Sequence, residues 1–235
     1  IDIKEGRIII KDNLLIIEKN IERALQKSNR IGSKVDLVAV TKTVDVDKMN
    51  EAIQLGIKNI GENRVQELVK KYDIIGDKPN YHMIGHLQTN KVKDIIDKVS
   101  LIHSLDRLSL ARELNKRAKG CDIVVDVLIQ VNVAEEESKY GLKVAEVIPF
   151  LERILNYDNI NVKGLMTIAP LVEDSEEIRW VFRTLRELSE EIDAKGYKEV
   201  EMKFLSMGMT NDYEVAVEEG ANMLRIGTGL FGKRN

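Results

Sequence analysis

Lys42 closes the stretch "VDLVAVTK", Val35 to Lys42, an apolar and β-branched run that stops on a charge. An amine at the rim of an apolar interior loses solvation, which lowers its pKa and frees a neutral nucleophile for a carbonyl. A lysine that caps a strand and pairs with a carboxylate occupies the same place, so position alone leaves both readings open. Farther on, "FLSMGMTNDYEVAVEEG" passes from a strand through Ser206, Met207, Gly208 and Met209 into a helix, with Thr210 or Asn211 as N-cap. Gly208 permits a tight turn, and the free N–H groups of a helix start attract a phosphate. An ordinary capped turn reads the same way. In "MLRIGTGLFG", Gly227, Thr228 and Gly229 form a small turn, and Arg225 shares a strand face with Gly227. Close packing would also ask for these glycines.

Weaker candidates surround these. "NIGENRVQE" puts Glu62 and Asn63 at the end of a strand, facing the site or, for Asn63, capping the next helix. His82 and His86 stand four apart without a third ligand, so no metal site is expected. Ser104 and Asp106 beside His103 do not follow a hydrolase elbow. Met166, Met207 and Met209 read as gap-filling core. Lys139, in the charged loop "NVAEEESKYGL", reads as a solvated rim residue. A reactive lysine together with a phosphate cradle points to pyridoxal 5′-phosphate, whose aldehyde needs the amine and whose phosphate needs the N–H nest.

The elements that must position these residues alternate. A first helix carries Leu14, Ile17, Ile21 and Leu25 on one stripe. Eight short apolar runs follow, separated by amphipathic stretches such as "VDKMNEAIQLG", "RVQELVKKYDIIG", "DRLSLARELNKRAKG" and "SEEIRWVFRTLRELSEEIDAKG". Gly56, Gly120 and Gly196 stand where helix C-caps belong. Eight strand–helix alternations predict a (β/α)8 barrel of the TIM type with an extra N-terminal helix, with the chemistry at the C-terminal strand ends. Its phosphate site would lie after the seventh and eighth strands. An open doubly wound sheet is the alternative, but the first turn, "TKTVDVD", has no glycine for a dinucleotide.

The 235 residues suit one such domain, expected to span 1–235, since no linker or low-complexity stretch interrupts them. A net charge of −3 with interleaved signs argues against a nucleic-acid partner. One cysteine, Cys121, precludes an internal disulfide and fits a reducing cytoplasm. The longest apolar runs are too short to span a bilayer, so no membrane partner is expected.

The segments "VAVTKT", "IGENRVQE", "HMIGHLQTNK", "HSLDR", "QVNVAEEESKYG", "GLMTIAP" and "LSMGMTNDYEVAVEEGANMLRIGTGLFG" together resemble the pyridoxal phosphate homeostasis protein family, over almost the whole chain. That family is similar to the barrel domain of alanine racemase and is generally monomeric. The resemblance implies that Lys42 is the Schiff-base lysine. It implies that Ser206 and the Met207–Gly208 backbone, with Gly227 and Thr228, hold the phosphate. Ile226 belongs to the same cofactor-binding set, Arg225 lies near the ring nitrogen or the phosphate, and Asn63 lines the ring. Lys139 would be a second, reversible contact. The implied role is buffering and supply of the cofactor to apo-enzymes, without established turnover. The alternative is an amino-acid racemase or a related enzyme. Such enzymes carry a further β-rich domain that supplies a tyrosine, which is not expected here because the chain ends at Asn235, just after the eighth strand signal. A lysine-dependent barrel aldolase is disfavoured by the resemblance.

Overall fold

The computed structural model describes residues 3–198 and 200–232, with side chains from Ile9 onward. The expected domain limits, 1 and 235, lie outside the described residues. Helix α1 (Ile3–Lys27) buries Ile10, Ile17, Ala24 and Leu25 and half-buries Leu14 and Ile21, one stripe at helical spacing. It is tied to the far end of the chain. Asn13 Nδ2 donates to Leu230 O at 2.9 Å and Asn20 Nδ2 to the Tyr213 hydroxyl at 2.8 Å.

Strands and helices then alternate: β1 (Asp36–Val40), α2 (Val46–Gln54), β2 (Asn59–Glu62), α3 (Val65–Ile75), β3 (Asn80–Met83), β4 (Val99–Leu105), α4 (Leu108–Gly120) and β5 (Val125–Val131). After them come α5 (Val144–Ile154), β6 (Ile160–Thr167), α6 (Arg179–Ala194), β7 (Val200–Ser206), α7 (Tyr213–Glu218), β8 (Met223–Ile226) and α8 (Thr228–Phe231). The strands form a closed parallel barrel in chain order, β8 joining β1 through Ala39↔Ile226. Closure excludes the open sheet. The third crossover has a 3₁₀ segment, Thr89–Asp94, in place of an α-helix. Gly56 and Gly196 lie just past α2 and α6 at positive φ, whereas Gly120 is the last residue of α4.

Strand alternation divides the apolar residues into two layers. Val38, Val40, Ile84, Leu101, Leu128, Met166 and Met223 fill the barrel interior. Ala39, Ile60, Ile102, Val127, Ile129, Leu165, Leu224 and Ile226 face the helices. Each strand therefore presents a known face, and a polar residue on the inner face points along the axis or at its C-terminal rim.

Candidate cofactor site

Val38 and Val40 lie in the interior layer, so the period of two aims Lys42 at the C-terminal rim of the barrel. There it borders a cavity of about 250 Å³ with Val40, Ala169, Pro170, Leu171, Met209, Thr210, Asn211, Asp212, Arg225, Gly227 and Thr228. Wider clefts of about 520 and 610 Å³ lie between outer elements and contain neither Lys42, Arg225 nor the loops after β7 and β8. The Lys42 side chain has no hydrogen bond or ion pair among the described residues. The carboxylate of Asp212, by contrast, accepts from Met209 N–H.

Arg225, on the inner face of β8, is held from below. Its Nη1 donates to Ser206 Oγ at 2.6 Å and its Nη2 to Thr167 O at 2.7 Å. Ser206 Oγ also meets His103 Nδ1 at 2.9 Å, and His103 Nε2 meets His82 Nδ1 at 2.9 Å. The chain His82–His103–Ser206–Arg225 crosses the barrel from β3 to β8 and is buried throughout. Burial brings His82 down to about 4 and His103 well below the usual imidazole range. Both rings are therefore neutral at pH 7, each with one N–H and one acceptor nitrogen. Burial lowers Arg225 to about 10, opposed by the nearby Asp212 charge. The guanidinium stays protonated at neutral pH, a fixed cation on the cavity wall.

The backbone that carries Lys42 is held from behind. Thr41 O accepts from Val44 N–H at 2.8 Å and from Lys71 Nζ at 2.6 Å. Lys71 Nζ also pairs with Glu62 Oε1 at 2.7 Å, and the Thr41 hydroxyl donates to that same oxygen. Thr43 N–H donates to Glu67 Oε2 at 3.1 Å. Glu62 thus faces the barrel–helix layer and not the cavity. Asn63 does not cap α3, whose N-cap is Arg64. Its Oδ1 is buried without a hydrogen-bond partner.

On the neighbouring strand, in the turn after β8, the N–H groups of Gly227 and Thr228 have no hydrogen-bond partner among the described residues, while Gly229 N–H donates to Thr210 Oγ1 at 3.1 Å. Gly208 turns the chain at φ +94°, where an added Cβ would lie 2.8 Å from Ala216 Cβ. Helix α7 begins later than "SMGMTND" suggests, with Asp212 as N-cap in place of Thr210 or Asn211.

The alanine racemase N-terminal domain model matches residues 13–235. A pyridoxal phosphate homeostasis protein of Aquifex aeolicus is 46% identical over 224 residues, covering 95% of this chain and 97% of that one. One of Pasteurella multocida is 35% identical over 229 residues, with 96% and 98% coverage. The chain belongs to the pyridoxal phosphate homeostasis family. Among solved structures, PipY of Synechococcus elongatus with PLP bound superposes with a TM-score of 0.80 at 31% identity, over 91% of this chain and all of that one. An alanine racemase of Clostridium difficile at 16% identity, with a TM-score of 0.73 over 95% of this chain and 60% of that one, shares the fold.

In this family member, four of the nine residues that the resemblance assigns to the cofactor line one cavity: Lys42, Arg225, Gly227 and Thr228. Ser206 lies beneath it, engaged with Arg225 and His103. Met207 and Ile226 turn their side chains into the barrel–helix layer, and Met207 N–H is taken by Met223 O at 3.2 Å. Gly208 packs against α7. Met166 and Met207 are core, but Met209 lines the cavity. Sequence reasoning missed Asp212 and the segment Ala169–Leu171 as cavity walls. It also missed the histidine chain, since His103 reads only as part of a failed hydrolase pattern and His82 only as a metal candidate paired with His86. Lys139 is not a freely solvated residue. Its Nζ donates to Ala169 O at 2.9 Å and pairs with Glu136, which pins the loop after β5 to the segment that walls the cavity.

Proposed function

We propose that this chain binds pyridoxal 5′-phosphate in the rim cavity, holds it through Lys42 and releases it to other proteins without turning over a substrate. One observation carries the reading: a single small cavity joins an unpaired primary amine, a fixed guanidinium and unpaired backbone N–H groups. The size suits one substituted ring, since a volume of about 250 Å³ falls below the ≈ 300–1,000 Å³ of pockets for drug-sized ligands. The donor set fits the cofactor. The N–H groups of Gly227 and Thr228 are open to an anion, with Met209–Asn211 beside them. Arg225 donates towards a ring nitrogen or a phosphate. Asn63, outside the cavity lining, ends the neighbouring strand with an unpaired acceptor, Oδ1. When bound, the cofactor supplies an aldehyde that condenses with a primary amine, with loss of water. Lys42 supplies that amine. Ser206 serves the site by holding Arg225, and phosphate recognition shifts towards the Met209–Asn211 segment and the Gly227–Thr228 turn.

The near full-length relatives named for pyridoxal phosphate homeostasis support this reading, as does the PLP-bound PipY structure. A racemase needs two positioned proton-transfer groups, one for each face of the substrate. Lys42 can serve as one, but Asp212, the other basic group in the lining, is tied to Met209 N–H. We place the protein in the cytoplasm as a single-domain monomer that meets apo-enzymes transiently. No helix among the described residues is long and apolar enough to cross a membrane. The test is transfer. Protein loaded with the cofactor and freed of excess should restore activity to an apo-aminotransferase, whereas Lys42→Ala put through the same loading should restore little. Equal restoration by the two, or none by the loaded wild type under conditions where free cofactor succeeds, contradicts the proposal.

A further inference from the structure

We infer that Glu62, Lys71 and Glu67 are positioning residues for Lys42, fixing the two peptide units on either side of it; this rests on Lys42 being the cofactor-bearing amine. Residues 41–44 form a turn closed by Val44 N–H to Thr41 O, with Lys42 second and Thr43 third. Thr43 sits at φ +61°, in the left-handed region, where a β-branched side chain is strained and glycine is the usual choice. Thr43 also donates its N–H to Glu67, so the strained residue is tied to α3. On the other side of Lys42, Thr41 is gripped at both its carbonyl, by Lys71, and its hydroxyl, by Glu62.

The grip is made of charges in an expensive place. Lys71 is the one buried lysine among the described residues at 7% exposure, and Glu62 is fully buried. Taking two ions out of water is costly, and their mutual attraction repays that cost only in good geometry. The helix that follows Lys42 does not need them: α2 starts on its own cap, Asp45, whose carboxylate accepts from Lys48 N–H at 2.8 Å. Strain and buried charge therefore converge on one residue, which is where both are expected when a side chain must be presented in one orientation. With its backbone held on both sides, Lys42 searches only its own rotamers and returns to the cofactor's aldehyde carbon after release.

The test compares two probes of one cavity. Pyridoxal 5′-phosphate can bond to Lys42, whereas pyridoxamine 5′-phosphate keeps the ring and phosphate but lacks the aldehyde. The double variant Glu62→Gln/Lys71→Met removes both charges at similar volume. It should weaken pyridoxal 5′-phosphate by about tenfold while leaving pyridoxamine 5′-phosphate within about twofold. Glu67→Ala removes a half-buried side chain, frees the exposed Thr43 N–H and should act in the same direction by about threefold; it decides the matter if the double variant does not fold. Parallel losses for both probes, or no loss for either, would overturn the assignment. Wild-type protein that binds the aldehyde no more tightly than the amine would instead refute the reading of Lys42 beneath it.

Discussion

Arg225 keeps its place because two histidines stay neutral. An imidazole chain that donates at one end and accepts at the other can satisfy Ser206 without adding charge beside the guanidinium. That arrangement has a pH signature. His82 titrates near 6.5 when unfolded and at about 4 in the fold, where burial opposes the charged form. Between those values the unfolded chain binds more protons. The contribution is therefore complete above pH 6.5 and is lost as pH falls towards 4, at about 1.4 kcal/mol per pH unit. Chemical unfolding across this range should show His82→Gln with a shallower fall than the wild type; identical slopes would show that the ring is not held neutral. This part of the site was illegible in sequence, because His103 and Ser206 are 103 residues apart and only barrel closure makes them neighbours. The rim position of Lys42 was legible, because strand alternation acts over a few residues and needs no distant partner.

At the scale of elements, β6 passes β7 too closely at Gly164 for any side chain. Gly164 lies at φ +142°, and a Cβ added there would sit 1.9 Å from Phe204 O, a backbone atom that cannot swing aside. Gly164→Ala should cost upwards of about 3 kcal/mol in urea unfolding, combining a strained φ with overpacking. A loss under about 1 kcal/mol would mean that β7 can shift, and with it Ser206. Amphipathic period located α2, α3, α4 and α6, but α5 was harder to see. Pro149 interrupts its hydrogen bonds from an exposed position, while Val147, Phe150, Leu151 and Ile154 bury the opposite face. The 3₁₀ segment Thr89–Asp94 escaped notice because it anchors a short crossover through one fully buried side chain, Val92. The Ala169–Leu171 wall has no periodic signal at all. It follows from Lys139 reaching across to the Ala169 carbonyl, a contact that local sequence cannot announce.

The whole molecule is a closed barrel whose rim gathers loops from distant parts of the chain, and this much followed from eight alternations of strand and helix. Register does the gathering: Arg225 stands opposite Val38, so β8 brings the guanidinium beside the strand that ends at Lys42. The central claim is that this lysine, among the many on the surface, is the one that carries the cofactor. The direct measurement is to load the purified protein with pyridoxal 5′-phosphate, reduce it with borohydride and map the modified peptide by mass spectrometry. One stoichiometric label is expected, on Lys42, and none in Lys42→Ala. A label on Lys139 or another lysine with Lys42 unmodified would contradict it.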